Sequence, residues 1–245
     1  MLKIEHLHKK LGNFELKDIN LQIAQGEYFI ILGPTGTGKS IVLETLAGVY
    51  KPNEGSIYFN EVDLCKEYPE NRQIGFVYQD YVLFPHLSVK DNIIFGLKQK
   101  KLPKNEIIQK LNEVVSMFKI AHLINRRPLT LSGGEQQRVA IARALITSPK
   151  ILLMDEPLSS LDPQTKEEFI YMLKNIHQSR KNTVIHVTHD FNEAIYLADR
   201  IAVMNEGTIV QVGTPQEIFK KPNSTFVAKF IGMKSIFNNT MEFVK

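Results

Sequence analysis

"YFIILGPTGTGKS", Tyr28 to Ser40, is the stretch whose reading decides the fold. Its first five residues form a short apolar run, the pattern of a strand buried on both faces. The remainder, "GPTGTGKS", fits the spacing GxxxxGK(S/T), and "IVLETLAGVY" after it reads as a helix. Strand, glycine loop and helix in that order make a phosphate cradle. Along Gly33, Pro34, Thr35, Gly36, Thr37 and Gly38 the glycines let backbone N–H groups fold around phosphate oxygens, and the helix start adds positive potential. Lys39 can then reach the β- and γ-phosphates of a nucleotide, and Ser40 offers a hydroxyl to Mg²⁺. A bare glycine-rich turn would carry neither the Lys-Ser pair nor this context.

Working outward, residues 2–8 alternate as a strand, Gly12-Asn13 supplies a turn, and "FELKDINLQI" continues in strands. "EGSIYFN" and "QIGFVYQ" read as two more. From Phe84 to about Pro149 the pattern turns helical. Ser88 stands three residues before Asp91, close to a capping box. In "PKNEIIQKLNEVVSMFKI" the residues Ile107, Ile108, Leu111, Val114, Val115 and Phe118 share one face. Strand and helix then alternate again: "ILLM", "QTKEEFIYMLKNIHQ", "TVIHVT", "FNEAIYLAD". "RIAVMNEGTIVQVG" reads as a hairpin turning at Glu206-Gly207, and the tail after about Ile231 has no clear period. The whole is α/β with a helical insert.

"ILLMDEP", Ile151 to Pro157, is an apolar strand ending in two carboxylates. A strand leaving the core often ends in acids. Beside a phosphate loop, Asp155 becomes a magnesium-shell acid and Glu156 a water-orienting base. His189 ends the next strand and can face the γ-phosphate, whereas His186, an odd number of residues away, points to the other face and reads as structural. Gln79 closes the strand "GFVY", and its amide can ligate Mg²⁺ or position water.

Composition narrows the classes. The 245 residues are 43% hydrophobic, enough for one large or two small cores. Lys+Arg 30 against Asp+Glu 26 leaves a net charge of +4, mild enough to read as a solvated surface and not as a nucleic-acid footprint. Cys65 is the sole cysteine, so no internal disulfide forms and a reducing compartment is expected. The N-terminus lacks a signal-peptide core, and no run approaches the ~20 apolar residues of a membrane span. The expectation is a soluble, cytoplasmic protein that meets a membrane only through a partner.

One further stretch, "LTLSGGEQQRVAIARAL", Leu129 to Leu145, resembles a second anion site. Ser132 and Glu135 form a capping box, which explains both residues. The cap does not explain Gly133 and Gly134, because glycine in a first helical turn costs about 1 kcal/mol relative to alanine. They make sense if something must approach the backbone closely.

LSGGE followed by QQRVAIARAL resembles the signature of the ATP-binding-cassette (ABC) ATPases. The other motifs fall in that family's order: P-loop Gly33–Ser40, Q-loop Gln79, Walker B Ile151–Asp155 with Glu156 behind it, D-loop "SSLD" ending at Asp162, and switch His189. The resemblance implies a P-loop (RecA-like) α/β core with an N-terminal antiparallel β subdomain and an inserted helical subdomain. It places an ABC domain at 1–232, with the core in 1–85 and 150–232, the helical subdomain in 86–149 and a tail at 233–245. It implies ATP and Mg²⁺, the metal held by Ser40, Gln79 and Asp155, and catalysis by Glu156, His189 and Gln79. It implies a head-to-tail homodimer in which Ser132, Gly133, Gly134 and Glu135 of one subunit serve the nucleotide of the other, and it counts Asp162 among the nucleotide-binding residues.

Finer details resemble importer subunits. "QDYVLFPHLSVKDNIIFGL" is similar to the segment that receives a transmembrane permease. "KKLGNFELKDI" and "GEYFIILGPTGTGKSIVLETLAG" look most like molybdate/tungstate importers, with sulfate, polyamine, iron or sugar systems as alternatives. The implied place is peripheral, on the cytoplasmic side of the membrane, with a solute-binding protein as an indirect partner. Soluble ABC proteins of ribosomes usually carry two cassettes, and those of DNA carry a long coiled coil; neither pattern is present, and no nucleic acid is expected. An exporter ATPase carries the same motifs. Two positions depart from the family: Leu11 stands where an aromatic ring usually stacks on adenine, with Phe14 nearby, and Ile41 replaces a hydroxyl residue at the α-phosphate while keeping its N–H. Longer relatives append a C-terminal regulatory domain, which is expected to be absent here.

Overall fold

The computed structural model describes residues 1–98, 100 and 102–235, with side chains only to residue 232 at that end. Of the expected tail, residues 236–245 lie outside the described residues. The alternating N-terminus forms β1 (Leu2–Leu11) and β2 (Phe14–Ile23), an antiparallel pair. Leu2 and Ile4 are buried, and an irregularity between Ile4 and Leu7 shifts the phase so that Leu7 is buried too. The apolar run becomes β3 (Tyr28–Leu32), buried at every residue. The glycine loop follows, then α1 (Lys39–Ala47). Arg72 closes the far end of α1 by donating from Nη1 to the Thr45 and Leu46 carbonyls at 3.0 and 2.7 Å.

β4 (Glu54–Phe59) and β5 (Val62–Asp63) return to the antiparallel sheet, ordered β2-β1-β4-β5. β6 (Ile74–Val77) opens the other sheet. The insert holds α2 (Val89–Lys98), α3 (Lys104–Met117) and α4 (Gly133–Leu145). The core resumes with β7 (Ile151–Asp155), α5 (Pro163–Arg180), β8 (Thr183–Thr188) and α6 (Phe191–Leu197). The chain continues through β9 (Arg200–Asn205), β10 (Thr208–Gly213), α7 (Pro215–Lys220) and α8 (Thr225–Ser235). The hairpin turns at Glu206-Gly207, as its sequence suggests. Ile108 departs from the expected face of α3: it is 53% exposed, while Leu111, Val114, Val115 and Phe118 are buried. At 100° per residue it falls at the edge of the stripe.

The second sheet has the order β10-β9-β3-β8-β7-β6, parallel except for the antiparallel pair β9–β10. Alternation along β3 separates two cores. Tyr28, Ile30 and Leu32 face the helices of the insert together with α5 and α6; Phe29 and Ile31 face α1 and the antiparallel sheet. The ends of β3, β8 and β7, three adjacent strands, open side by side. Among the described residues no helix is long and apolar enough to cross a membrane.

Candidate nucleotide site

The glycine loop is shaped by its neighbours. A Cβ on Gly33 would lie 2.4 Å from the Met204 carbonyl oxygen, so β9 presses against the loop from beneath. Gly38 has φ +96°, and a Cβ there would meet the Phe14 ring at 2.4 Å. Phe14, already noted near Leu11, therefore packs on the loop where α1 begins. The hairpin turn joins in: the Gly207 N–H donates to the Thr37 carbonyl at 3.2 Å, and the Lys17 N–H donates to the Gly207 carbonyl at 2.8 Å. That turn ties the antiparallel sheet to the phosphate loop. Thr37 Oγ1 donates to the Pro34 carbonyl at 2.9 Å, Thr35 and Gly36 are exposed, and the Ile41 side chain packs into the core beneath.

Lys39 is only 4% exposed. Its ammonium donates to the Gly33 and Pro34 carbonyls at 2.9 and 2.8 Å and lies 3.8 Å from Glu156 Oε1. Burial pushes its pKa down, against the pull of Glu156 and Asp155. Ser40 Oγ donates to Asp155 Oδ1 at 3.0 Å, although the two residues are 115 positions apart. Burial lifts the Asp155 carboxyl above its ordinary range, the Ser40 hydrogen bond opposing and the neighbouring Glu156 charge adding to the rise. A hydroxyl and a destabilised carboxylate meeting at a phosphate loop suit a divalent cation. Among the described residues no group of three or more His, Cys, Asp or Glu side chains forms a cation cage.

Glu156 sits one residue beyond β7 at φ +42°, its N–H donating to the Val187 carbonyl at 2.9 Å. An uncommon backbone setting there turns the side chain back over the loop. Its Oε2 lies 2.9 Å from His189 Nδ1. A carboxylate only accepts, so Nδ1 carries the proton. His186 is fully buried on the opposite face. Lys39, Ser40, Asp155, Glu156 and His189 thus come together. Gln79 was expected at the strand end; β6 stops at Val77, and Gln79 stands exposed in the following turn. β6 is the edge strand of its sheet, with β7 as its one strand neighbour among the described residues.

The second helix start lies elsewhere. Ser132 Oγ accepts from the Glu135 N–H at 3.3 Å, and Glu135 Oε2 accepts from the Ser132 N–H at 2.8 Å, completing the capping box. Gly133 is exposed; a Cβ there would have only the Tyr81 hydroxyl nearby, at 3.6 Å. A Cβ on Gly134 would sit 3.3 Å from the Thr165 methyl, so close packing against α5 is one reason for that glycine. None of these neighbours belongs to the phosphate loop. Asp162 caps α5, accepting from the Thr165 N–H at 3.1 Å.

Two features had no legible sequence signal. The Tyr81 hydroxyl hydrogen-bonds Ser160 Oγ, joining the turn after Gln79 to the segment that ends at Asp162. Arg143 of α4 donates to the Val82 and Tyr81 carbonyls at 2.8 and 3.0 Å and lies 5.3 Å over the Phe84 ring. Phe84 packs on Phe95 at 4.5 Å, with Val82 and Phe95 exposed beside them.

The family profile described as ABC transporter matches residues 16–159. The molybdate/tungstate import ATP-binding protein WtpC of Pyrococcus horikoshii is 48% identical over 236 residues, covering 96% of this chain and 68% of that protein. The spermidine/putrescine import ATP-binding protein PotA of Borreliella afzelii is 46% identical over 237 residues, 97% of this chain and 68% of that one. A dimeric structure of the ATP-binding cassette MJ0796 in a post-hydrolysis state, bound to ADP and Pi, superposes with a TM-score of 0.79 at 34% identity. It covers 88% of this chain and 99% of that one.

Proposed function

The chain belongs to the ABC transporter ATP-binding family and hydrolyses ATP to drive transport, and from that premise we propose that it is the ATPase subunit of an importer for molybdate or tungstate. The observation that carries the chemistry is the meeting of Lys39, Ser40, Asp155, Glu156 and His189 at the ends of three adjacent strands. Lys39, now on loop carbonyls, exchanges them for phosphate oxygens when nucleotide enters. Ser40 and Asp155 would hold Mg²⁺, which supplies neutralisation of phosphate charge when bound. Glu156 orients the attacking water and takes its proton; His189 Nδ1–H holds that carboxylate in place, and a protonated ring adds a second donor for the γ-phosphate. Gln79, in the turn after β6, is proposed to serve the metal or the attacking water as well.

The solute reading rests on likeness to the WtpC protein, and the similar identity to the PotA protein supports a polyamine importer as the second reading. Uptake of radiolabelled tungstate against spermidine in cells with and without the gene separates them. The Phe84–Phe95 cluster with exposed Val82 is the face we assign to the permease, and the cytoplasmic side of the membrane is the place we propose for the chain.

Ser132 to Glu135 we assign to the nucleotide of a second subunit, because no phosphate-loop residue of the same chain lies against its glycines. In a two-fold dimer that arrangement makes two composite sites. Mixing Lys39→Ala with Gly134→Asp tests it. Each homodimer lacks both working sites, whereas a mixed dimer keeps one, made from the loop of the Gly134→Asp chain and the signature of the Lys39→Ala chain. ATP-dependent dimerisation should return on mixing and be absent from either variant alone. Gly134→Ala gauges crowding against Thr165 separately. If mixing restores no closure where the parent dimerises, Ser132 to Glu135 is a helix cap and nothing more.

A further inference from the structure

Behind His189 lies a charged cluster that the chemistry above does not use. Lys166 of α5 places its ammonium 2.6 Å from Glu193 Oε1 and 2.9 Å from Asp190 Oδ2. The Lys166 and Glu193 side chains are 19% and 2% exposed. Glu193 Oε2 lies 3.0 Å from Nε2 of the fully buried His186, whose Nδ1 meets the Tyr28 hydroxyl at 3.0 Å. Burying several charges is costly, and apolar side chains of the same volume often serve stability as well or better. Packing alone therefore does not account for the cluster.

The geometry supplies one. His189 stands in the turn between β8 and α6. One side of that turn is held by the sheet through Thr188, paired with Leu32 of β3. The other side begins at Asp190, whose Oδ1 caps the Asn192 and Glu193 N–H groups at 2.7 and 3.3 Å. Asp190 and Glu193 therefore set where the turn leaves the sheet, and Lys166 grips both. Lys166 also sits one helical turn into α5, its N–H donating to the Asp162 carbonyl at 2.9 Å. A single ammonium thus spans the start of the helix capped by Asp162 and the turn that carries His189.

We propose that Lys166 is a positioning residue for ATP hydrolysis: it holds the His189 turn through Asp190 and Glu193 and fixes that turn to the Asp162 end of α5. The inference rests on the reading of His189 given above. If it holds, loss of the ammonium leaves the phosphate loop and nucleotide binding untouched and misplaces His189 against Glu156. Displacements of about an ångström cost on the order of a hundredfold in rate.

The test uses the full chain with MgATP and three variants: Lys166→Met, Lys166→Arg and His189→Ala. Lys166→Met is expected to lower kcat by about ten- to a hundredfold with KM for ATP within about twofold, and Lys166→Arg to recover most of the loss. Should Lys166→Met fail to fold, the pair Lys166→Met/Glu193→Gln removes one charge of each sign and carries the same expectation. A kcat within about twofold of the parent in the folded variant overturns the proposal. So does a KM that rises in step with the fall in kcat, or an arginine that restores nothing. A slow His189→Ala beside an unimpaired Lys166→Met sinks the clamp and leaves the role of His189 standing; a parental rate in His189→Ala sinks both.

Discussion

Acidification should reveal how strongly the fold depends on Glu193. Burial works against its ionisation, yet His186 and then Lys166 outweigh burial and hold the carboxyl at about 2, down from 4.5. His186 Nε2 approaches at 3.0 Å but off the line of a hydrogen bond, so the Lys166 ammonium at 2.6 Å is the firmer partner. A folded-state value below the unfolded one means that the native protein favours the ionised group. The stabilisation is complete above about pH 4.5 and disappears as the pH falls through about 2. At about 1.4 kcal/mol per tenfold change in proton affinity, the gap from 4.5 to about 2 is worth about 3 kcal/mol. The assay is urea unfolding of the parent and Glu193→Gln at a series of pH values. Carboxylates remote from the cluster titrate in both proteins and cancel in the difference, Lys166 stays charged throughout, and parallel pairs carrying Asp190→Asn or His186→Asn separate the contribution of these two neighbours. The advantage of the parent should be largest at neutral pH and shrink by more than half, to about 1 kcal/mol of this contribution, near pH 3. A difference that does not change between about pH 7 and 3, or that grows in acid, would refute the linkage of Glu193 to the buried cluster.

Two further outcomes concern the nucleotide site. Glu156→Gln keeps the hydrogen-bonding shape while removing the base, so it should bind ATP, hydrolyse it at least about a hundredfold more slowly and run as a nucleotide-locked dimer on gel filtration; hydrolysis at the parental rate would point to another base. Leu11 offers no aromatic ring at the end of β1, and Phe14 is packed on Gly38, so binding should lean on phosphate contacts and GTP should compete with ATP within about tenfold, ~1.4 kcal/mol. A thousandfold preference for ATP would show that another residue reads adenine.

The strand–loop–helix at Tyr28–Ser40, the alternating N-terminal strands, the hairpin at Glu206-Gly207 and the capping box at Ser132 were all legible in the sequence. Each depends on residues a few positions apart: a period of two or 3.6, a glycine at a turn, a hydroxyl three residues from a carboxylate. The helices α7 and α8 went unread, because six residues of α7 are too few to show a period and the apolar residues of α8 lie on several sides. His189 could be placed at a strand end next to the acid-bearing strand; that β8 lies between β3 and β7, and so brings Ser40 to Asp155 and Glu156 to His189, could not. Strand order follows from which pairing buries both faces of the sheet at once, a sum over the two cores that no local window contains. The same holds for Lys166, which in the sequence is one more charge on an amphipathic helix. Only the packing of α5 against α6 puts its ammonium between Asp190 and Glu193, where low solvent access makes the attraction strong and a lost partner costly.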